Sequence, residues 1–231
     1  GIAHKHPSVQ LLAEVAAQQL MRNPAGTLPF VEIAKAAVDV DAAYRGLHAR
    51  ALQHGAIDRA GGGGASYLKC AALVLFSAAQ AVADGKSRPF DANATGLITS
   101  EGYVTLVLKT LPKALADGDR IRGVIRRISF SADGHGKSLW APLKNGQVLA
   151  MRRAYRDGIG PEDLQYIEAH ATSTQVGDAT ELAALAEVFP AALPGGRKIA
   201  LGSVKANLGH TLETAGAASL AKVILAMEHG V

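Results

Sequence analysis

Short apolar runs rich in β-branched residues alternate with helical patterns from residue 102 onward. Strands are predicted at 102–109, 121–130, 164–169 and 198–203, and helices at 112–116, 147–157, 180–188 and 211–228. A chain that alternates strands with helices packs helical layers against its sheet. The pattern therefore predicts an α/β sandwich in which helices cover much of the sheet on both faces.

The first hundred residues carry fewer signals. Helices are predicted at 9–20 and 38–53, and a breaker around Pro24 and Gly26 ends the first of them. Four consecutive glycines follow at 61–64. A phosphate-binding loop needs a following Gly-Lys-Ser/Thr or the spacing of the dinucleotide fingerprint, and both are missing. We interpret the run as a tight turn or as a place of close backbone packing.

Composition excludes several classes of protein. The 231 residues, 48% of them hydrophobic, suffice for a substantial core. The longest nearly apolar stretch, 70–83, contains Ser77 and Gln80 and is shorter than the roughly 18 residues that a membrane helix needs, so no membrane partner is expected. The single cysteine permits no intrachain disulfide, and the first residues lack the layout of a secretory signal. We therefore expect a cytoplasmic protein.

The charge is mildly positive. The net charge is +4, and the 24 basic residues are spread along the chain. Nucleic-acid-binding proteins concentrate their basic residues in a stripe or a reading module, so no nucleic-acid partner is expected. A diffuse positive surface fits either attraction of an acidic protein partner or an ordinary solvated face.

Groups able to do chemistry concentrate in two segments, each just after a predicted strand. They are Glu168, His170, Thr172, Thr174, Asp178 and Glu181 in the first, and Ser203, Lys205, Asn207 and His210 in the second. Ligands of α/β proteins gather at the carboxyl ends of strands. The two imidazoles could there donate hydrogen bonds to one developing oxyanion. Taken singly, each histidine could instead be a structural side chain, and Asp178 is better explained as a helix N-cap than as a catalytic acid.

These residues form a pattern that resembles a known family. Glu-Ala-His-Ala-Thr-Ser-Thr, then Gly-Asp-x-x-Glu, then Gly-Ser-x-Lys-x-Asn-x-Gly-His, with histidines 40 positions apart, is similar to the β-ketoacyl synthases of modular and iterative polyketide synthases. The resemblance extends upstream through 88–92, 96, 101–102, 106–109 and 117–120 and covers the chain from about residue 55 onward.

The resemblance implies a thiolase-like fold, a layered α-β-α-β-α sandwich, incomplete at both ends of this chain. Residues 1–120 would be a remnant of the N-terminal ketosynthase half, and residues 121–231 most of the C-terminal half. It further implies a homodimer or a heterodimer with a related ketosynthase chain. The implied activity is an acyl transfer: the decarboxylative Claisen condensation of malonyl-type units in polyketide or fatty-acid biosynthesis. The substrates would be carried on the phosphopantetheine of an acyl carrier protein, with no bound cofactor or metal.

Roles follow from the resemblance residue by residue. His170 and His210 would hold the malonyl thioester carbonyl, and Lys205 would support them, paired with Glu181. Thr172 and Thr174 would contact the pantetheine arm, and Asn207 would shape the second loop. Each has a plainer alternative: Lys205 could be a surface lysine, and the two threonines could satisfy backbone groups of a turn.

The nucleophile of the family has no match. Aligned backward without gaps from 55–64, the chain places Val38 where the family has its cysteine, and valine forms no thioester. The single thiol, Cys70, lies in an apolar stretch and is expected to be buried and inert. Three functions stay open: a condensing acyltransferase, an impaired synthase acting as a decarboxylase or a non-condensing, chain-length-factor-like partner, and a scaffold that docks a carrier protein.

Overall fold

A computed structural model describes residues 58–66, 70–133, 141–155, 161–190 and 192–230. The helices predicted at 9–20 and 38–53, and with them Val38, lie outside the described residues. No helix within the described ranges is long and apolar enough to cross a bilayer.

The described elements alternate between strands and helices. The strands are β1 (Arg59–Ser66), β2 (Gly102–Lys109), β3 (Tyr166–Glu168) and β4 (Ala200–Gly202). The helices are α1 (Cys70–Ala78), α2 (Leu111–Ala116), α3 (Lys144–Ala154), α4 (Gln175–Val188), α5 (Lys205–Leu208) and α6 (Ala215–His229). Single turns of 3-10 helix lie at Pro161–Asp163, Pro194–Gly196 and Leu212–Thr214. The mixed α/β class is as predicted.

β1 and β2 form an antiparallel pair that runs from Arg59 opposite Lys109 to Ser66 opposite Gly102. β2 has the predicted bounds, and its residues alternate between exposed and half-buried, as period-two patterning requires. The glycine run lies inside β1, so the predicted tight turn is wrong. The predicted close packing is confirmed, because a Cβ at Gly63 would lie 2.5 Å from the Val104 carbonyl oxygen.

β3 and β4 form a parallel pair, with Tyr166 opposite Ala200 and Glu168 opposite Gly202. The Ala169 N–H continues the ladder to the Gly202 carbonyl at 2.8 Å. Both strands lie within the predicted segments, and their parallel register places their carboxyl ends side by side. The segments after the two strands therefore leave the same edge of the sheet.

The helices contribute buried residues to the core. α3 packs against α4, and α6 begins with the buried residues Ala215, Ala217 and Ala218. α6 ends at His229, and the left-handed backbone of the following Gly230 (φ 68°) terminates the helix. α3 and α4 begin three and five residues before the predicted positions, because residues without a strong apolar period complete their first turns.

Two predictions about the sheets are wrong. Residues 121–130 form no strand in the structure, and Ile121, Val124 and Ile128 are exposed. β-branched residues favour a strand, but a strand also needs a backbone ladder, and this segment makes none with the described residues. Coverage on both faces is also not seen within the described part of the chain, since Val107 of β2 is 81% exposed.

Candidate active site

The loop that carries His170 follows β3 and is fixed by carboxylates of α4. Glu181 accepts the backbone N–H groups of His170 at 2.9 Å and Ala171 at 2.8 Å. Ala171 (φ 33°) and Ser173 (φ 65°) adopt positive φ, a conformation that side-chain-bearing residues rarely take. Strained backbone of this kind persists only where surrounding bonds enforce it, and the Glu181 carboxylate provides them here.

Asp178 provides a second fixation of the same loop. Its Oδ1 accepts the Ser173 N–H at 3.1 Å, and its Oδ2 accepts the Phe90 N–H at 2.7 Å. Burial raises the pKa of the Asp178 carboxyl, and these N–H donors oppose the rise. The N-cap of α4 is Thr174, so the prediction of Asp178 as the N-cap is wrong. Asp178 lies in the first turn, where its carboxylate joins the 87–94 segment to the His170 loop.

The loop that carries His210 is fixed by backbone. The His210 N–H donates to the Ile98 carbonyl at 2.6 Å, and the His210 carbonyl accepts the Ser100 N–H at 3.0 Å. Gly209 has φ 77° and ψ −169°, a region essentially limited to glycine. A Cβ there would lie 2.8 Å from the Ile98 carbonyl oxygen. Glycine therefore permits the close approach that pins His210.

The two imidazoles meet. Their ring centroids are 5.5 Å apart and their planes are inclined by 85°, so the two side chains that were predicted to converge lie side by side. Nδ1 of His210 accepts the backbone N–H of Leu212 at 3.0 Å. A neutral ring that accepts at Nδ1 carries its hydrogen on Nε2, so His210 presents a hydrogen-bond donor from the other side of the ring.

Both rings are neutral at physiological pH. Burial lowers the pKa of His170 to about 4, the Lys205 charge adds to this effect, and Asp178 opposes it. Burial lowers the pKa of His210 to about 3, together with His170 and Lys205. His170 still exposes part of its surface to solvent. A lowered pKa and an exposed surface are compatible when a ring lies in a concave wall. Protein atoms then surround the side chain, while one edge of the ring still faces solvent.

Lys205 is the first residue of α5 and is 2% exposed, so the surface-lysine alternative is wrong. Burial lowers the pKa of its ammonium, while the charges of Glu168, Glu181 and Asp178 raise it, in that order. Among the described residues no ion pair joins Lys205 to Glu181, whose oxygens accept backbone N–H groups instead. The predicted pairing is therefore wrong as a direct contact.

The remaining predicted residues occupy three settings. The hydroxyls of Thr172 and Thr174 bond to each other at 3.0 Å, next to His170. Asn207 is exposed on α5. Cys70 is also exposed, as the first residue of α1, so the prediction of a buried thiol is wrong. An apolar stretch buries only the positions that its helix turns inward, and the first residue of a helix often escapes.

A cavity of about 350 Å³ opens beside His170, between α3 and α4. Its lining includes Pro142, Gln147, Ala150, Met151, Thr172, Gly177, Asp178, Glu181 and Leu185. His210 is not among the lining residues, so the cavity lies on the His170 side of the ring pair. The contributions of Gln147 and Met151 were missed from sequence, although their spacing of four residues places both on one face of the predicted helix.

Two residues that bond to Glu168 were also missed. Tyr166 donates to Glu168 at 2.5 Å, and Lys222 of α6 donates to it at 3.0 Å. The alternation of Tyr166 and Glu168 along a strand places both on one face and was available as a signal. Lys222, a charge within an apolar helical run, gave only a weak one.

Comparison with known proteins identifies the family. The Beta-ketoacyl synthase, C-terminal domain family matches residues 122–231, and the Beta-ketoacyl synthase, N-terminal domain family matches residues 42–114. The chain therefore belongs to the β-ketoacyl synthase family. The fold is the thiolase-type α/β fold of the ketosynthases to which it is similar.

Curated relatives are polyketide synthases. The chain is 46% identical over 150 residues to the Mycocerosic acid synthase-like polyketide synthase of Mycobacterium tuberculosis. This match covers 64% of this chain and 7% of that protein. It is 44% identical over 158 residues to the Highly reducing polyketide synthase sor1 of Hypocrea jecorina, covering 68% and 6%. The chain thus spans less than a tenth of the length of these relatives.

Solved structures with this fold include the ketosynthase from module 6 of the bacillaene synthase from Bacillus subtilis 168. That match has a TM-score of 0.77 and 38% identity and covers 82% of this chain and 35% of the other. The ishigamide ketosynthase/chain length factor matches with a TM-score of 0.74 and 33% identity, covering 83% and 46%.

Proposed function

We propose that this chain acts on a malonyl-type thioester, and that His170 and His210 together bind the thioester carbonyl oxygen. The observation that carries the proposal is the 5.5 Å separation of the two ring centroids, with His170 also lining the adjacent cavity. Two N–H donors aimed at one oxygen stabilise the negative charge that develops there, and such preorganised donors are often the largest contribution to catalysis.

The neutral state of the rings supports this role. A neutral imidazole donates one hydrogen bond without carrying a charge that would bind the malonyl carboxylate and hold it in place. The Leu212 N–H at Nδ1 of His210 leaves Nε2 as the donor. The charge of the buried Lys205 lowers the pKa of both rings and so favours the neutral state.

The step assigned to this site is decarboxylation. The C–C bond between the malonyl carboxylate and its α-carbon breaks, carbon dioxide leaves, and the electron pair forms an enolate whose oxygen the two rings hold. Attack of the enolate α-carbon on an acyl thioester would form a β-ketoacyl product and release a thiolate. Without an acyl group, protonation of the α-carbon by water gives the acetyl thioester.

Val38 occupies the position aligned with the family's cysteine, and a valine side chain cannot hold an acyl group. We propose that full condensation by this chain requires another group to hold the acyl chain. The substrate would be delivered on the phosphopantetheine of an acyl carrier protein, past Thr172 and Thr174. Their hydroxyls lie at the His170 side of the cleft and can bond to the amides of the pantetheine arm.

A non-condensing role is the second candidate. It is supported by the likeness to the ishigamide ketosynthase/chain length factor and to a structure described as PfaC Keto synthase-Chain length factor. In this role the chain would pair with a related ketosynthase as a heterodimer and contribute decarboxylation or cavity shape. A homodimer is the corresponding expectation for the condensing role.

One experiment separates these functions. The chain is incubated with malonyl-pantetheine, and carbon dioxide and acetyl-pantetheine are measured; a second sample receives a reactive acyl thioester and is analysed by intact mass. We expect decarboxylation without stable acylation, lowered at least about 100-fold by His170→Ala or His210→Ala. His229→Ala, at the exposed end of α6, is the matched control and should change nothing. Equal rates in all four proteins would overturn the proposal, and stable acylation would favour the condensing role.

A further inference from the structure

The two carboxylate oxygens of Glu168 bond to different parts of the chain. Oε1 accepts the backbone N–H of Val204, and Oε2 accepts hydrogen bonds from the Tyr166 hydroxyl at 2.5 Å and the Lys222 ammonium at 3.0 Å. Lys222 also donates to the Tyr166 hydroxyl at 2.8 Å. The Glu168 side chain is 6% exposed, and a carboxylate so buried is stable only with several donors. These residues, Tyr166, Glu168 and Lys222, are called the Glu168 cluster below.

The cluster lies between the two histidine loops without touching either ring. Glu168 is the last residue of β3 and comes two residues before His170. The Val204 N–H that it accepts directly precedes Lys205 and the start of α5, which leads to His210. Lys222 lies on α6. One carboxylate therefore joins the start of the first loop, the start of the second loop and helix α6.

Local sequence is adapted to this arrangement. A Cβ at Gly202 of β4 would lie 2.5 Å from the Tyr166 hydroxyl oxygen, so glycine leaves the space in which that hydroxyl sits. Burial is the largest influence on the Glu168 carboxyl and favours its neutral form, yet the donors Tyr166, Val204 and Lys222 hold its pKa below the ordinary value. The carboxylate is thus charged at neutral pH, and both its oxygens stay acceptors.

The charge of Glu168 also reaches the site. Of the three carboxylates that oppose the effect of burial on Lys205, it has the largest influence. Lys205 in turn affects both histidines. Geometry and charge therefore connect Glu168 to the rings by two separate routes.

We propose that Glu168, held by Tyr166 and Lys222, is a positioning residue that sets the separation and orientation of the His170 and His210 rings. The inference rests on the proposed function, because ring separation matters for turnover only if both rings bind one oxygen. A displacement of about 1 Å in a catalytic group can lower a rate about 100-fold. Loosening the cluster should therefore lower turnover while substrate binding is kept.

The first test uses Glu168→Gln, Lys222→Met and the double variant, with decarboxylation of malonyl-pantetheine as the assay. We expect each single variant to lower kcat about 30-fold with KM within about two-fold of the unchanged protein. The double variant should be no slower than the slower single variant, because the two side chains act as one unit. Glu187→Gln is the matched control, since it makes the same change at an exposed carboxylate paired with Lys144 and Arg152. Unchanged kcat in Glu168→Gln, or additive losses in the double variant, would overturn the inference.

The second test does not depend on turnover. The 15N shifts of the His170 and His210 ring nitrogens report their hydrogen bonds and tautomers. We expect both sets of shifts to move in Glu168→Gln and Lys222→Met and to return in Lys222→Arg, which keeps a cationic donor. If the shifts moved because the variants were generally less stable, Lys222→Arg would not restore the ring shifts selectively. Identical ring shifts in all these variants would contradict a positioning role.

The two tests fail in different ways. If the unchanged protein releases no carbon dioxide but its ring shifts respond to Glu168→Gln, the proposed function fails and positioning is supported. If it decarboxylates and neither kcat nor the ring shifts respond, the inference fails and the proposed function stands. Should Glu168→Gln not fold, Tyr166→Phe removes one hydroxyl only, and the same readouts apply with a smaller expected loss.

Discussion

The loop that carries His170 is held by side chains, whereas the loop that carries His210 is held by backbone. Glu181 and Asp178 accept four N–H groups from the first loop and from the segment beside it. The second loop exchanges two backbone hydrogen bonds with Ile98 and Ser100, and Gly209 makes that approach possible. The rings that result from these two constructions lie 5.5 Å apart.

The difference determines what each loop can tolerate. A loop held by carboxylates depends on charge and on acceptor number, so conservative polar changes should loosen it. A loop held by backbone contacts is indifferent to such changes but has no room for an added Cβ. Glu168 is linked to both loops, since it is the last residue of β3 before the His170 loop and accepts the backbone N–H of Val204 before the His210 loop. This explains why one side chain can set the relation between the loops.

The largest effect is expected for Gly209→Ala. The substitution requires a glycine-only backbone conformation and places a Cβ 2.8 Å from the Ile98 carbonyl oxygen. We expect the free energy of unfolding to fall by about 3 kcal/mol, measured by chemical denaturation. Decarboxylation should fall at least about 100-fold, because His210 moves with its neighbour.

Gly118→Ala is the matched control for this substitution. Gly118 also has positive φ (66°), but a Cβ there would meet no atom within 4 Å. Its cost should stay near 1 kcal/mol, the ordinary penalty of a left-handed residue, with activity unchanged. Equal losses in the two variants would mean that φ alone, and not contact with Ile98, makes glycine necessary in the His210 loop.

A smaller effect is expected for Glu181→Gln. The amide keeps one acceptor oxygen and presents an NH2 group to the other backbone N–H, so His170 or Ala171 loses its partner. We expect a loss of about 2 kcal/mol in the free energy of unfolding, since hydrogen bonds to charged groups contribute more than neutral ones. Glu187→Gln on the same helix should cost little, because its ion pairs are exposed. A stability equal to that of the unchanged protein would show that the first loop does not depend on charge.

Sequence reasoning succeeded where one short-range pattern determines the outcome. β2 was predicted with its observed bounds because a short run rich in β-branched and other apolar residues favours a strand. The meeting of His170 and His210 was predicted because each follows a strand, and parallel neighbours such as β3 and β4 bring their carboxyl ends together.

It failed where the outcome depends on distant partners. The sequence around the glycines at 61–64 does not show that β2 lies beside them. The sequence of 121–130 likewise does not show that this segment lacks a strand partner among the described residues. The partner of Glu181 was wrong for a related reason. The Glu181 carboxylate bonds to backbone N–H groups of the His170 loop instead of to Lys205. A search of the sequence for opposite charges does not consider backbone N–H groups as partners.

Acid should weaken the fold through the two rings. Their ordinary pKa is 6.5, and burial lowers it to about 4 for His170 and about 3 for His210. As pH falls below 6.5 the unfolded chain takes up these protons and the folded chain does not, so the free energy of unfolding declines down to about pH 3 and then levels with respect to these groups. Denaturation series at several pH values should give a shallower decline for the His170→Gln/His210→Gln double variant. Equal slopes in the double variant and the unchanged protein would contradict the prediction.

The smallest effect is expected for Thr172→Val, which tests the proposed pantetheine contact. Valine keeps the shape of threonine but removes the hydroxyl that lies 3.0 Å from the Thr174 hydroxyl. If that hydroxyl bonds to the substrate arm equally in the ground and transition states, its loss raises KM about five-fold, the equivalent of about 1 kcal/mol, and leaves kcat within two-fold. Thr180→Val is the control, because the Thr180 hydroxyl donates to the Val176 carbonyl one turn earlier on α4. An unchanged KM would assign the Thr172 hydroxyl to the turn itself, and a fall in kcat would place it among the groups that hold the His170 loop.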